Sequence, residues 1–157
     1  GPLHGGAPSE VVEQIHQVGT PDHAEAWVRD AIDRKERLMG FGHRVYRAYD
    51  PRAAALREVA EGMDHKPEWL ALAIAVEDVA LRVLAEKYPD RPLMTNVEYY
   101  AAPVLMGVGL PPDLFPATFA LARHAGWTAH AIEQGANNRL IRPDVKYVGS
   151  GERHLPA

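Results

Sequence analysis

Leu38-Met39-Gly40-Phe41-Gly42-His43-Arg44-Val45-Tyr46-Arg47-Ala48-Tyr49-Asp50-Pro51-Arg52 is the stretch around which the rest of the chain arranges itself. Two glycines flank an aromatic, and a histidine and three arginines follow within ten residues. Asp-Pro then opens a helix, since Asp caps orphan backbone N–H groups and Pro suits the first helical position. Glycine allows a ligand to approach the backbone closely. A histidine can donate to a carbonyl, and arginines grip carboxylate or phosphate in a fork. The chemistry is that of a loop holding an anionic, carbonyl-bearing ligand; the plainer alternative is a surface connector with solvated arginines. No strand precedes the glycines and a third glycine is missing, so this is not a dinucleotide-binding fingerprint.

Working outward, the 157 residues suffice for one modest domain with a core. A hydrophobic fraction of 46% and a charged fraction of 24% are those of a globular protein. The net charge of −4 argues against non-specific nucleic-acid binding. The absence of cysteine removes disulfides, thiol nucleophiles and zinc–thiolate sites, and suits a reducing cytoplasm. No apolar run is long enough to span a membrane, and the start lacks a signal-peptide pattern. Gly1-Pro2-Leu3-His4-Gly5-Gly6-Ala7-Pro8 reads as the middle of a longer protein.

Helical periodicity and breakers predict an all-α chain. Ser9 caps a helix to about Val18, with Val11, Val12 and Ile15 on one face. Thr20 caps and Pro21 leads a second, to about Leu38, with Ala24, Trp27, Val28, Ala31 and Ile32 in one stripe. Asp50-Pro51 opens a third to about Gly62, and Pro67 a long one to about Lys87. The long helix carries two stripes, Leu70, Ile74, Leu81 and Leu84, and Leu72, Val76, Val79 and Val83. Asn96 caps a turn at Val97, and Pro103 should kink that segment or start a fresh helix. Pro116 begins a helix to about Gln134, ended by Gly135; Val145 to Val148 could form a short strand.

Chemistry-bearing residues are scattered along these elements. His4 lies among glycines ahead of a helix N-terminus, which favours anions. Glu98 falls in the first turn after Asn96, where the helix dipole favours the carboxylate, and is a candidate base beside Tyr99 and Tyr100. Glu77 and Asp78 lie mid-helix and are set aside as bases. Arg123 is the sole certain charge between Pro116 and Glu133, among Phe119, Leu121, Ala122 and Trp127. Such an arginine should be withheld from solvent, either paired internally or holding an anion. Arg139 and Arg142 lie in an irregular tail. Together these residues suit general acid–base chemistry on a small substrate with several carboxylates.

The joint pattern resembles citrate synthase: the run from Gly1 to Ala7, Met39-Gly40-Phe41-Gly42-His43-Arg44-Val45-Tyr46, Asp50-Pro51-Arg52, Asn96-Val97-Glu98, Ala122-Arg123-His124-Ala125-Gly126-Trp127-Thr128-Ala129-His130 and Ile141-Arg142-Pro143 recur in order. The resemblance covers the carboxy-terminal part of a typical member, somewhat less than half. It implies a multi-helical fold in which residues up to about 110 belong mostly to the small domain and 111–157 return to the large one. By the same resemblance, His4 hydrogen-bonds the thioester carbonyl of acetyl-CoA as it enolises, and Glu98 removes the methyl proton. His43 polarises the oxaloacetate ketone. Arg52, Arg123 and, across a homodimer interface, Arg142 bind carboxylates of oxaloacetate or citrate. Met39, Gly40, Phe41, Gly42 and Arg47 contact coenzyme A.

The activity so implied is condensation of acetyl-CoA with oxaloacetate and water to citrate and CoA, in the cytoplasm and the tricarboxylic acid cycle. It needs no tightly bound cofactor and no metal, with the coenzyme A thioester as co-substrate and neither nucleic acid nor membrane as partner. This stretch alone should be inactive. Propionyl-CoA, as in 2-methylcitrate synthase, stays open as the acyl donor, as does a catalytically weak regulatory paralogue binding acyl-CoA or a tricarboxylate. Two departures from the family stand out: Pro8 where Asn is commoner, and Glu98 where the family has Asp. A carboxylate misplaced by roughly 1 Å can cost ~10²-fold in rate.

Overall fold

A computed structural model describes residues 5–144, 146 and 148. The chain divides into two units, Gly1–Ala122 and Arg123–Ala157. Six α-helices are present among the described residues: α1 Ala7–Val18, α2 Ala24–Asp33, α3 Pro51–Gly62, α4 Leu70–Lys87, α5 Val97–Gly107 and α6 Phe115–Ala136. Single 3₁₀ turns, Pro21–His23 and Pro112–Leu114, precede α2 and α6. No strand occurs among these residues, only an isolated antiparallel bridge between Phe41 and Thr95. The class is all-α, as expected.

In the first unit α5 packs against α1 and α3, and α2 against α4. Val11, Ile15, Val76, Tyr99, Tyr100 and Phe115 form one buried cluster, and Val28, Ile32, Leu38, Val83 and Leu84 a second. Removing these side chains from water is the dominant favourable term holding the helices together. In the second unit α6 is exposed throughout, save Gly126, and Trp127, Ile132, Leu140 and Ile141 face solvent.

Local chemistry explains most helix ends. Asp50 caps α3 by accepting from the Arg52 N–H, and Asn96 caps α5 by accepting from the Glu98 N–H. Four expectations are corrected. Ser9 is no cap: α1 starts at Ala7, with Pro8 tolerated in its first turn, and the Ser9 hydroxyl donates to the Pro112 carbonyl at 2.8 Å. Thr20 makes no side-chain cap either. Pro103 does not start a fresh helix: α5 runs through it with the ring buried, its packing outweighing the lost hydrogen bond. The buried face of α4 runs Leu70, Ala73, Glu77, Ala80, Leu84, joined by Val76 and Val83, while Leu72, Ile74, Val79 and Leu81 are half-buried. The strand considered for Val145 to Val148 falls partly on Val145 and Tyr147, which lie outside the described residues.

The second helix also stops earlier than Leu38. Lys35 adopts φ +60°, the Glu36 N–H donates to the Ala31 carbonyl at 2.8 Å and the Lys35 N–H to that of Ile32 at 2.9 Å. These two bonds with a left-handed residue between helix and exit form a Schellman stop. Glycine usually holds that position, because a side chain makes the left-handed region costly. Lys35→Gly is therefore expected to raise the unfolding free energy by about 0.5 kcal/mol, the relief of strain exceeding the added freedom of the unfolded chain. Urea unfolding checks this; a less stable variant would show that the lysine side chain contributes more than its backbone costs.

Candidate active site

The glycine-flanked loop is clamped to the entry of α5. The Asn96 N–H donates to the Gly40 carbonyl at 2.8 Å and the Gly42 N–H to the Met94 carbonyl at 2.8 Å. The Asn96 side-chain amide donates to the Gly42 carbonyl at 2.9 Å, and the Asp50 N–H to the Thr95 carbonyl at 3.2 Å. Both glycines have positive φ, +84° at Gly40 and +83° at Gly42. At Gly40 a Cβ would stand 2.6 Å from Tyr99 Cδ2 and 3.0 Å from Tyr99 Cα, so the loop lies directly on α5. Segments more than forty residues apart in sequence thus share one short clamp, which carries His43 and Arg52 on one side and Glu98 on the other.

Asp50 does more than cap. Its carboxylate, fully buried, accepts from the Arg52 N–H at 3.0 Å, the Val97 N–H at 3.2 Å and the Arg52 guanidinium at 3.0 and 2.8 Å. The Arg52 hydrogen bonds hold the Asp50 carboxyl below the usual carboxylate range, so it stays ionised and keeps both helix starts tied. Half-exposed Arg52 is thereby oriented through Nε and one Nη, leaving other guanidinium donors for a ligand. Glu98 is half-buried in the first turn of α5, where the helix dipole favours its charge.

His43 is exposed, and its Nδ1 accepts from the N–H groups of Val45 and Tyr46, each at 3.0 Å. A nitrogen that accepts cannot carry the proton, so the neutral ring bears it on Nε2, which is left as a donor. The ring stacks on Tyr46 with centroids 4.3 Å apart, and the Arg52 guanidinium lies 5.7 Å from the same tyrosine ring.

Beside the loop opens a groove of about 740 Å³, within the range of small-molecule sites. Of the residues expected at coenzyme A, Phe41, Gly42 and Arg47 line it, together with His43. Met39 and Gly40 do not: Met39 is buried with Leu38 in the core, its N–H donating to Gln14 Oε1 at 2.9 Å, and Gly40 sits against Tyr99. The groove adds Lys35, Arg37 and Arg91, which sequence reasoning left out, and Arg44, which stood in the loop stretch without a role of its own. Basic residues immediately flanking the loop at 35 and 37 were the available signal.

His4 lies outside the described residues. Arg142 is exposed in the tail. The solvent exclusion expected of Arg123 is corrected: the residue is exposed and forms no ion pair with a carboxylate among the described residues. Its apolar helix neighbours Leu121 and Trp127 are exposed as well, so these neighbours do not withhold the charge from water. Conversely Glu77, set aside as mid-helix, is buried and accepts from Tyr49, Tyr100 and Arg57. The spacing that would have revealed it is Ala73, Glu77, Ala80, Leu84, a carboxylate set into an apolar stripe of helical period.

An all-helical fold in which a glycine-flanked loop carrying His43 and Arg52 is clamped to the helix entry carrying Glu98 is the class of protein this chain defines. The family model for the citrate synthase C-terminal domain matches residues 1–144, and the chain belongs to the citrate synthase family. It is 48% identical over 153 residues to a protein of Mycobacterium tuberculosis provisionally named citrate synthase 2, covering 98% of this chain and 40% of that protein. The structure is similar to the ternary complex of citrate synthase from Thermoplasma acidophilum with carboxymethyl coenzyme A and oxaloacetate, with a TM-score of 0.83 and 40% identity, covering 99% of this chain and 42% of that one. Citryl-CoA lyase from Hydrogenobacter thermophilus is also similar, with a TM-score of 0.72 and 28% identity, over 99% of this chain and 62% of that one. The chain spans about 40% of the length of the curated relatives it matches.

Proposed function

We propose that the intact protein is a citrate synthase, condensing acetyl-CoA with oxaloacetate and water to give citrate and CoA. The observation that carries this reading is the clamp between the glycine-flanked loop and α5, which ties the segments of His43, Arg52 and Glu98 together beside a basic groove. Glu98 takes a proton from the acyl methyl group, while His4 donates a hydrogen bond to the thioester oxygen. The enolate so formed attacks the oxaloacetate ketone carbon, whose oxygen is polarised by the His43 Nε2–H. Water then cleaves the citryl thioester, releasing CoA. A base and an oxyanion donor in one site are what carbon-acid chemistry of this kind requires.

Arg52, Arg123 and Arg142 bind the substrate carboxylates, and their forks orient a dianion. Arg47 and Gly42 receive coenzyme A in the groove, where Lys35, Arg37, Arg44 and Arg91 add positive charge suited to its phosphates. Residues up to about 110 form mostly the small domain and 111–157 return to the large one. The same reading makes the protein a cytoplasmic homodimer of the tricarboxylic acid cycle. The exposed apolar side chains Leu121, Trp127, Ile132 and Ile141 support a partner on α6 and the tail.

The test is CoA release by the intact protein, with acetyl-CoA and propionyl-CoA compared. Oxaloacetate-dependent release with acetyl-CoA preferred is expected. Preference for propionyl-CoA would make it a 2-methylcitrate synthase. No release with either thioester, despite measurable binding of acyl-CoA or tricarboxylate, would replace the enzyme with a regulatory paralogue.

A further inference from the structure

We propose that Glu77 is a positioning residue that sets the carboxylate-binding Arg52 and the base Glu98 in register, an inference that rests on the citrate synthase reading above. Glu77 is 1% exposed in the middle of α4, a helix that supplies no other candidate site residue. Its Oε1 accepts from the Tyr49 hydroxyl at 2.7 Å. Its Oε2 accepts from the Tyr100 hydroxyl at 2.5 Å and from Arg57 Nη1 at 3.0 Å. The three donors lie on three separate segments, and each is close in sequence to the site. Tyr49 immediately precedes Asp50, whose carboxylate forks onto Arg52. Arg57 lies on α3, the helix that begins beside Arg52. Tyr100 follows Glu98 by two residues in α5.

A buried carboxylate is an expensive way to hold helices together. Apolar side chains of similar volume in place of Glu77 and its three donors together would serve stability as well or better. What a carboxylate with both oxygens engaged supplies is a single geometry. Its bond to Tyr49 sets the backbone that leads into Asp50, and so the direction of Arg52. Its bond to Tyr100 sets the rotation of α5 about its axis, and so the direction of Glu98, since residues along a helix turn together. Burial and the Glu77 hydrogen bonds push both tyrosine hydroxyls well above their ordinary range. Both therefore stay protonated as donors through any working pH.

The experiment measures oxaloacetate KM, kcat and deuterium exchange into the acyl-CoA methyl in the intact protein carrying Tyr49→Phe, Tyr100→Phe or Glu77→Gln. Phenylalanine keeps the ring and its packing, so the first two variants remain interpretable even where Glu77→Gln fails to fold. Tyr49→Phe is expected to raise the oxaloacetate KM roughly tenfold with methyl exchange little changed, as for one lost hydrogen bond to a charged group. Tyr100→Phe is expected to lower exchange and kcat by roughly tenfold with KM little changed. A folded Glu77→Gln should show both effects. If the Phe variants melt like the parent and keep parental KM and kcat, or if each changes both parameters by the same factor, Glu77 only supports the fold and the proposal is overturned alone. If the unmutated protein shows no oxaloacetate-dependent CoA release, the citrate synthase reading fails and the proposal falls with it.

Discussion

In the intact protein Glu98→Gln is expected to lower turnover by about 10²–10⁴-fold, the contribution of a positioned base. Glutamine keeps the length of the side chain and its hydrogen-bonding capacity, and it leaves the Asn96 cap on the residue 98 N–H untouched. What is lost is the negative charge and with it proton acceptance. Deuterium exchange into the acyl-CoA methyl should therefore fall with turnover, while oxaloacetate affinity, which depends on Arg52 and the other arginines, stays near the parent value. Glu98→Asp keeps the base on a shorter arm. Residue 98 stays in the first turn of α5, so the shorter arm draws the carboxylate back toward the helix. Exchange should persist in that variant, reduced by no more than ~10²-fold, the cost of a carboxylate displaced by roughly 1 Å. Turnover of Glu98→Gln at the parent rate would place the base elsewhere and remove Glu98 from the site.

The second large effect falls on the clamp. Gly40→Ala is expected to lower the unfolding free energy by about 2–5 kcal/mol, from a side chain forced into the left-handed region and from overlap with its neighbour. The overlap cannot be relieved cheaply. The new Cβ meets Tyr99 Cβ at 2.7 Å and Tyr99 Cα at 3.0 Å, and Tyr99 is buried, with its hydroxyl on the Ala73 carbonyl at 2.6 Å. Either the loop lifts off α5, breaking the Asn96–Gly40 bond, or α5 shifts and carries Glu98 with it. Gly42→Ala provides the control. Its φ is equally positive, but the nearest atom to its Cβ is Leu93 Cδ2 at 3.0 Å, the end of a flexible side chain. That variant should lose only about 1–2 kcal/mol, mostly backbone strain. Chemical denaturation of both proteins decides the matter; equal losses would mean that contact with Tyr99 contributes nothing beyond conformation.

The sequence by itself determined the helices with strong local signals. Asp50-Pro51 and Asn96 cap because their side chains reach the nearest free N–H groups, an interaction complete within four residues. It also determined the family, since motifs carry chemistry in order along the chain whatever their separation in space. Tertiary structure alone decided the rest. Lys35 ends α2 because the chain must turn there into the loop, not because lysine favours a left-handed backbone. Pro103 sits inside a helix because packing outweighs one lost hydrogen bond. Arg123 is exposed, as are Leu121 and Trp127 beside it on the helix, so its apolar sequence neighbours do not form a core around it among the described residues. Glu77, a plain mid-helix acid in sequence, becomes the meeting point of Tyr49, Arg57 and Tyr100 because the fold buries it and brings donors from the loop, α3 and α5 onto its two oxygens. A buried charge must be satisfied by whatever the fold brings near, and that depends on contacts between residues remote in sequence.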